Sequence, residues 1–137
     1  VQGRYHTGDW LFSLLSSLTW QRDVNRTDPD DKDTYDKPIC YSPTFSSGIT
    51  SLIGWRYIQL STSYLYVGER MWSYADPEDV LKPYHNIDMK LAYSYLMKKL
   101  HWNICLEVCD LLDEQYEHIP RYPMPGRNYK LTLTLGI

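Results

Sequence analysis

Apolar and polar residues alternate along most of the chain, and turn-forming residues divide it into segments. Alternation with a period of two is typical of β-strands that have one apolar and one polar face. No segment has the periodicity of a helix longer than a turn or two. The sequence therefore predicts an all-β protein in a single unit, residues 1–137. The predicted strands are residues 1–5, 10–23, 43–55, 56–69, 85–97, 102–109 and 129–137.

The connections between these segments alternate in length. Short turns are predicted at residues 6–9, 54–56 and 98–101, and long loops at 24–42, 70–84 and 110–128. Consecutive strands joined in this way form an antiparallel, up-and-down sheet. Short turns at one end and long loops at the other are typical of outer-membrane barrels, whose turns face the periplasm and whose loops face the outside.

One face of the predicted strands is apolar and carries no charge. It comprises Trp10, Phe12, Leu14, Ser16, Leu18, Trp20, Phe45, Ser47, Ile49, Ser51, Ile53, Trp55, Ile58, Leu60, Thr62, Tyr64, Tyr66, Ile87, Met89, Leu91, Tyr93, Tyr95, Trp102, Ile104, Leu106, Val108, Tyr129, Leu131, Leu133, Leu135 and Ile137. The opposite face is mostly Ser, Thr, Asn, Gln and charged residues. The first face suits lipid and the second suits water or packed polar groups. A soluble sandwich or lipocalin-like barrel would show the same alternation, so this pattern leaves both classes open.

The positions of the aromatic residues favour the membrane barrel. On the apolar face, four lie beside short turns, namely Trp10, Trp55, Tyr95 and Trp102. Four more lie beside long loops, namely Trp20, Phe45, Tyr66 and Tyr129. Trp10 and Trp20 are about ten residues apart, and a tilted strand needs about 9–11 residues to cross the hydrocarbon layer. Two aromatic bands at this spacing predict a transmembrane antiparallel β-barrel that contacts outer-membrane lipid, with a soluble ligand-binding barrel as the alternative.

The C-terminal third carries a recognisable series of motifs. Residues 106–117 read LEVCDLLDEQYE and residues 121–129 read RYPMPGRNY. They resemble the end of TonB-dependent outer-membrane receptors. In that family the penultimate strand leads into an Asn-Leu-Phe-Asp-like loop start, a Tyr, a Tyr-Pro-x-Pro-Gly-Arg segment and a last alternating strand. Residues 66–70 and 84–91 look like the preceding strands, so the resemblance covers essentially the whole chain. The chain departs from the family pattern at Cys109, where Asn is frequent, and at Ile137, where an aromatic residue is usual.

The resemblance implies the last seven or so strands of a 22-stranded barrel in the outer membrane of a Gram-negative bacterium. The remaining barrel, the N-terminal plug and the segment that contacts TonB would lie outside this sequence. The implied function is uptake of a scarce nutrient, with a ferric siderophore or cobalamin expected first. The alternative is an oligosaccharide or peptide receptor that works with a surface lipoprotein. The motif residues Tyr122, Pro123, Pro125, Gly126 and Arg127 are expected to be structural, because the prolines stiffen the loop and Gly126 permits a turn that other residues resist.

Exposed aromatic and thioether side chains on long loops are suited to gripping a bulky amphipathic cargo. Packing of one loop on another is the alternative use of the same residues. The candidate ligand contacts are Tyr35, Tyr41, Met71, Trp72, Tyr74, Tyr116 and Tyr122.

Composition and charge exclude several classes of function. A net charge of -3 argues against a nucleic-acid partner, which would need a basic face. No nucleophile, phosphate-loop or paired acid–base motif is present, so we expect neither an enzyme nor a cofactor. Val1 begins no signal peptide, which indicates a processed product or a fragment.

Other residues with chemical potential have simpler interpretations. The aspartates of residues 28–36 lack the Gly and Glu of a calcium loop, so a solvated acidic loop and no metal are expected. The four histidines are scattered in the sequence. Cys105 and Cys109 are too far apart on one strand to pair, and we expect free thiols. Glu107 and Lys130 are predicted to face each other across the last two strands.

Overall fold

The computed structural model describes residues 1–76, 78–98 and 100–136. Within them every regular element is a strand, which confirms the all-β prediction. Seven strands form the main sheet: β1 (Gln2–Thr7), β2 (Trp10–Trp20), β3 (Phe45–Trp55), β4 (Ile58–Val67), β7 (Tyr84–Met97), β8 (Leu100–Cys109) and β11 (Asn128–Gly136). Two small hairpins lie in the loops: β5 (Arg70–Met71) with β6 (Val80–Leu81), and β9 (Glu117–Ile119) with β10 (Tyr122–Pro123).

Each strand of the main sheet pairs antiparallel with its neighbours in the chain. The order is β1-β2-β3-β4-β7-β8-β11, so the predicted seven strands and their up-and-down order are confirmed. The sheet does not close on itself. Among the described residues, β1 pairs only with β2 and β11 only with β8, which leaves two open edges. The same part of the chain holds no helix long and apolar enough to cross a membrane.

The short turns are tighter than the sequence predicts. Thr7 pairs with Trp10, Trp55 with Ile58, and Met97 with Leu100, so two residues connect each pair of strands. The first residue of each connection, Gly8, Arg56 or Lys98, has a positive φ of 50–57°. A left-handed residue is what lets a two-residue turn match the twist of the strands, and only glycine adopts it without steric cost. The predicted turn residue Lys99 lies outside the described residues, as does Ile137 of the predicted last strand.

The strand register confirms the predicted faces. Residues directly opposite each other in neighbouring strands point to the same side of the sheet. Trp10 is opposite Trp55, Ile53 is opposite Leu60, and Leu60 is opposite Leu91. Leu91 is in turn opposite Leu106, and Leu106 is opposite Leu131. The predicted apolar residues therefore form one continuous face across six strands, from β2 to β11.

That apolar face is uncovered. Its large side chains are 36% or more exposed on most strands, and Leu131, Leu133 and Leu135 are 59–66% exposed. Among the residues that the structure describes, no large side chain is fully buried, and the buried apolar residues are few: Val67, Leu81, Tyr84 and Cys105. Soluble monomers rarely expose contiguous apolar patches above a few hundred Å². The face therefore needs a cover that this chain does not supply.

The opposite face carries a charged group that spans three strands. Glu107 of β8 accepts from Lys90 of β7 at 2.8 Å and from Lys130 of β11 at 3.2 Å. The predicted contact between Glu107 and Lys130 is thus confirmed, and Lys90 is a further partner that lies opposite Glu107 in the register. The three cysteines are free, as predicted.

Gly68, just after β4, lies where the backbone of β3 comes closest. A Cβ built on it would be 2.8 Å from the carbonyl oxygen of Phe45, to which the Gly68 amide donates at 2.9 Å. A backbone oxygen cannot swing away, so Gly68→Ala should lower the free energy of unfolding by about 1–3 kcal/mol. The matched control is Gly3→Ala, because a Cβ at Gly3 meets nothing within 4 Å. Urea unfolding of both variants measures the difference, and equal stabilities would contradict the assignment.

Candidate functional site

The three long connections emerge from one end of the sheet, opposite the two-residue turns. We call them loop 1 (residues 21–44), loop 2 (residues 68–83) and loop 3 (residues 110–127). In each loop the acidic residues outnumber the basic ones. The predicted ligand contacts Tyr35, Tyr41, Met71, Trp72, Tyr74, Tyr116 and Tyr122 all lie in these loops.

Aspartate carboxylates of loop 1 accept hydrogen bonds from backbone amides of the same loop. Asp28 Oδ1 accepts the amide of Asp30, and Asp31 Oδ1 accepts the amide of Asp33, both at 3.0 Å. Asp31 Oδ2 also accepts from the Thr34 hydroxyl, and this bond is the main reason that the pKa of Asp31 lies below its usual value. In the part of the chain that is described, no group of three or more His, Cys, Asp or Glu side chains could hold a metal ion.

Loops 1 and 2 contact each other through three of the candidate residues. The amide of Tyr41 donates to the carbonyl of Met71 at 2.7 Å. Tyr74 lies against Cys40, and burial, together with the Cys40 thiol, raises the pKa of the Tyr74 phenol. Tyr41, Met71 and Tyr74 therefore take part in loop-on-loop packing. Tyr35 stays exposed, and Trp72 closes the loop 2 hairpin by donating its amide to Asp79.

Loops 2 and 3 are joined by an aromatic group that we call the Arg70 cluster, defined as Arg70, Tyr84, Tyr116, Glu117 and His118. Arg70 is only 7% exposed, donates from Nη2 to the carbonyl of Glu117 at 2.9 Å, and places its guanidinium 5.2 Å from the Tyr84 ring centroid. The Tyr84 and Tyr116 rings stack at 4.1 Å, with His118 edge-on to both at 5.4 Å. A buried guanidinium stacked on an aromatic face is a favourable cation–π arrangement.

Burial perturbs the titrating groups of the cluster. It raises the pKa of Tyr116, and the nearby Tyr84, Asp110 and Asp88 raise it further because they oppose a negative phenolate. Burial also lowers the pKa of His118 below its ordinary value of 6.5, and the Arg70 charge adds to that effect. A neutral imidazole is thus the form that fits the cluster.

Asp110, at the start of loop 3, is 4% exposed and has no hydrogen-bond partner for either carboxylate oxygen among the described residues. Its amide donates to Asp88 Oδ1 at 3.0 Å. A buried ionisable group without a partner is costly and is seldom retained for stability alone. Both Asp110 carboxylate oxygens, at this end of the polar face, are therefore able to accept further hydrogen bonds beneath loop 3.

The proline-rich motif closes loop 3 back onto β11. Asp113 accepts the Arg127 amide at 2.9 Å and lies 3.5 Å from its guanidinium, while Pro123 belongs to the hairpin β9–β10. The reason expected for Gly126 is wrong. Gly126 has no positive φ; instead, a Cβ there would lie 2.6 Å from Asp113 Oδ1. Close approach, rather than backbone freedom, favours glycine at this position.

The candidate ligand contacts do not converge on one point. Tyr116 is half-buried in the Arg70 cluster and also lines a cleft of about 440 Å³ between loops 2 and 3. Tyr122 is 71% exposed at the tip of the β9–β10 hairpin. Sequence reasoning missed Arg70, Glu117 and His118. Arg70 and His118 meet partners that are distant in the chain, and Glu117 accepts through its backbone carbonyl, so no local pattern marks them.

The lowered pKa of His118 makes the cluster sensitive to acid. The stability that neutral His118 contributes to the folded cluster is fully present above pH 6.5 and is lost as the pH falls through the lower folded-state pKa of His118. As the pH is lowered below 6.5 we therefore expect amide protection of residues 116–119 to fall, measured by hydrogen exchange corrected for intrinsic rates. His118→Gln removes the titrating group and should abolish this dependence. The same loss of protection in both proteins would contradict the role of His118.

No protein-family model matches the sequence, and a search of curated proteins finds no similar sequence.

Proposed function

We propose that this chain forms the C-terminal wall and outer loops of a TonB-dependent outer-membrane receptor. The observation that carries the proposal is the register of the sheet. It places an uncharged, apolar and exposed face across six of the seven strands, bordered by aromatic residues at both ends. Such a face suits contact with hydrocarbon, and the polar face then lines the interior of the barrel.

The dimensions of the apolar face support a membrane location. β2 and β3 each have 11 residues and begin and end with aromatic side chains. Trp10 lies opposite Trp55 at one end of this pair, and Trp20 lies opposite Phe45 at the other. At about 3.4 Å per residue and a tilt of about 35–45°, the distance between the two bands measured along the membrane normal is roughly 25 Å. That height matches the apolar band of outer-membrane barrels.

The open edges of the sheet support completion by further polypeptide. In lipid, each unpaired backbone group of β1 or β11 would cost several kcal/mol, so both edges need partners. We infer that other strands extend the sheet to the 22-stranded, plugged barrel of the resembled family. TonB would act on the plug, and this chain would hold the plug against its polar face. It would present loops 1, 2 and 3 to cargo, with a ferric siderophore or cobalamin as the first class to test.

Neighbouring positions on β11 provide a direct test of lipid contact. Leu133 lies on the apolar face, opposite Ile104, and Thr132 lies on the polar face, opposite Cys105. In lipid vesicles, Leu133→Arg should lower the free energy of unfolding by about 2–4 kcal/mol, whereas Thr132→Arg should cost clearly less. Denaturant titration of the two refolded variants measures the difference. Equal tolerance of arginine at the two positions would contradict lipid contact, and would favour a soluble barrel if neither protein needed detergent.

The orientation of the sheet can be tested in whole cells. Lys32 of loop 1 and Glu78 of loop 2 are exposed, and Asp9 lies in a turn at the other end. With the native cysteines replaced by alanine, Lys32→Cys and Glu78→Cys should react with a membrane-impermeant maleimide. Asp9→Cys should react only after the outer membrane is permeabilised. The reverse labelling pattern would invert the orientation.

A further inference from the structure

The cleft between loops 2 and 3 has the size and rigidity of a small-ligand site. Its volume is about 440 Å³, within the range of roughly 300–1,000 Å³ that such sites occupy. Leu81 in its lining is 5% exposed, so the loop 2 hairpin is anchored there. The Tyr116 ring in its wall is fixed by stacking on Tyr84 at 4.1 Å. The cleft is therefore preformed by the Arg70 cluster behind it.

Apolar side chains make up much of the wall. Val80 and Leu81 come from the loop 2 hairpin, Pro83 from the approach to β7, and Pro123 from the loop 3 hairpin. Together with Tyr116 they offer a dry surface to an apolar body. Rings and branched side chains of this kind lose little conformational entropy when a ligand covers them.

Charges of both signs stand around the same cleft. Glu114 Oε2 accepts the amide of His85 at 2.9 Å, and Glu117 Oε2 accepts the amide of Arg121 at 2.8 Å. These bonds orient both carboxylates and leave each Oε1 able to accept from a ligand. Lys82 lines the cleft and forms no ion pair within the described residues. The site thus combines two oriented anions, one unpaired cation and an apolar floor.

We propose that this cleft binds a short zwitterionic peptide. The peptide's ammonium group is held by Glu114 and Glu117, its carboxylate by Lys82, and its apolar body by Tyr116 and the two prolines. An anionic ligand would meet two carboxylates, and an uncharged sugar would leave the Lys82 ammonium without a counter-charge. The proposal rests on the proposed receptor function, since the loops then face the medium from which cargo is captured, and at this cleft it favours a peptide over the siderophore or cobalamin named first.

Trialanine is a suitable probe, with N-acetyl-trialanine lacking the ammonium charge and trialanine amide lacking the carboxylate. Calorimetric titration uses the full-length receptor that carries this chain, purified in detergent. We expect saturable binding of trialanine and affinities lower by on the order of tenfold for each modified peptide, the size of one charge-assisted hydrogen bond.

Variants assign each charge to its partner. Lys82→Gln should weaken trialanine on the order of tenfold but leave trialanine amide unchanged, since that peptide has no carboxylate to lose. Glu117→Gln keeps an acceptor for the Arg121 amide. It should weaken the binding of trialanine but not of N-acetyl-trialanine, which has no ammonium group. Lys32→Gln in loop 1 is the matched control and should leave the affinity for every one of these peptides unchanged.

Absence of saturable trialanine binding, or equal loss for the acid and the amide in Lys82→Gln, would overturn the peptide site. If the whole-cell labelling holds and trialanine does not bind, the site assignment alone fails. If the charge-dependent binding persists in a protein that is soluble without detergent, the receptor assignment alone fails and the peptide site stands.

Discussion

The fold depends on the antiparallel pairing of neighbouring strands, and three of these pairings close through two-residue turns. The pairs Thr7 with Trp10 and Trp55 with Ile58 set the register at the start of a hairpin, and the backbone ladder carries it along the full length of both strands. Because side chains alternate, the register decides which residues share a face. The continuous apolar face, the aromatic bands and the Lys90–Glu107–Lys130 contact all follow from the register of the paired strands. The side chains contribute little burial of their own, so the ladder, more than any core, organises this sheet.

The regular part of this fold can be predicted from the sequence because its pattern is local. A period of two along residues 45–55 or 128–136 is sufficient to assign a strand and both its faces, and seven strands were identified in this way. The strand ends near the turns were less accurate, since Lys98 and Arg56 adopt a positive φ without the glycine that would mark it. The hairpins β5–β6 and β9–β10 are only two or three residues long, too short to show any alternation.

The loop geometry could not be predicted because its interactions join distant segments. Arg70 meets Glu117 across much of the chain, and the bond goes to a backbone carbonyl, which any residue type could provide. Tyr116 was selected for its exposed, cargo-gripping aromatic ring, yet one face of that ring is occupied by Tyr84. The reason expected for Gly126 is wrong, since the position of the Asp113 carboxylate becomes apparent only in three dimensions. Charge and aromatic content make the loops candidate binding surfaces, while their mutual contacts determine which surface remains available.

The difference between the two ends of the sheet has a consequence for how this chain tolerates changes in length. Inserting one residue between Trp55 and Ile58 would shift β4 against β3 and turn its side chains to the other face, so that Gln59 and Ser61 would point where Ile58 and Leu60 now lie. An insertion among residues 28–33 of loop 1 would leave the register of the sheet unchanged, because the hydrogen bonds that Asp28 and Asp31 accept from backbone amides stay within the loop. Length variation in related chains should therefore accumulate at the loop end, and a peptide tag for surface display would be accommodated in loop 1 but not at Gly8 or Arg56.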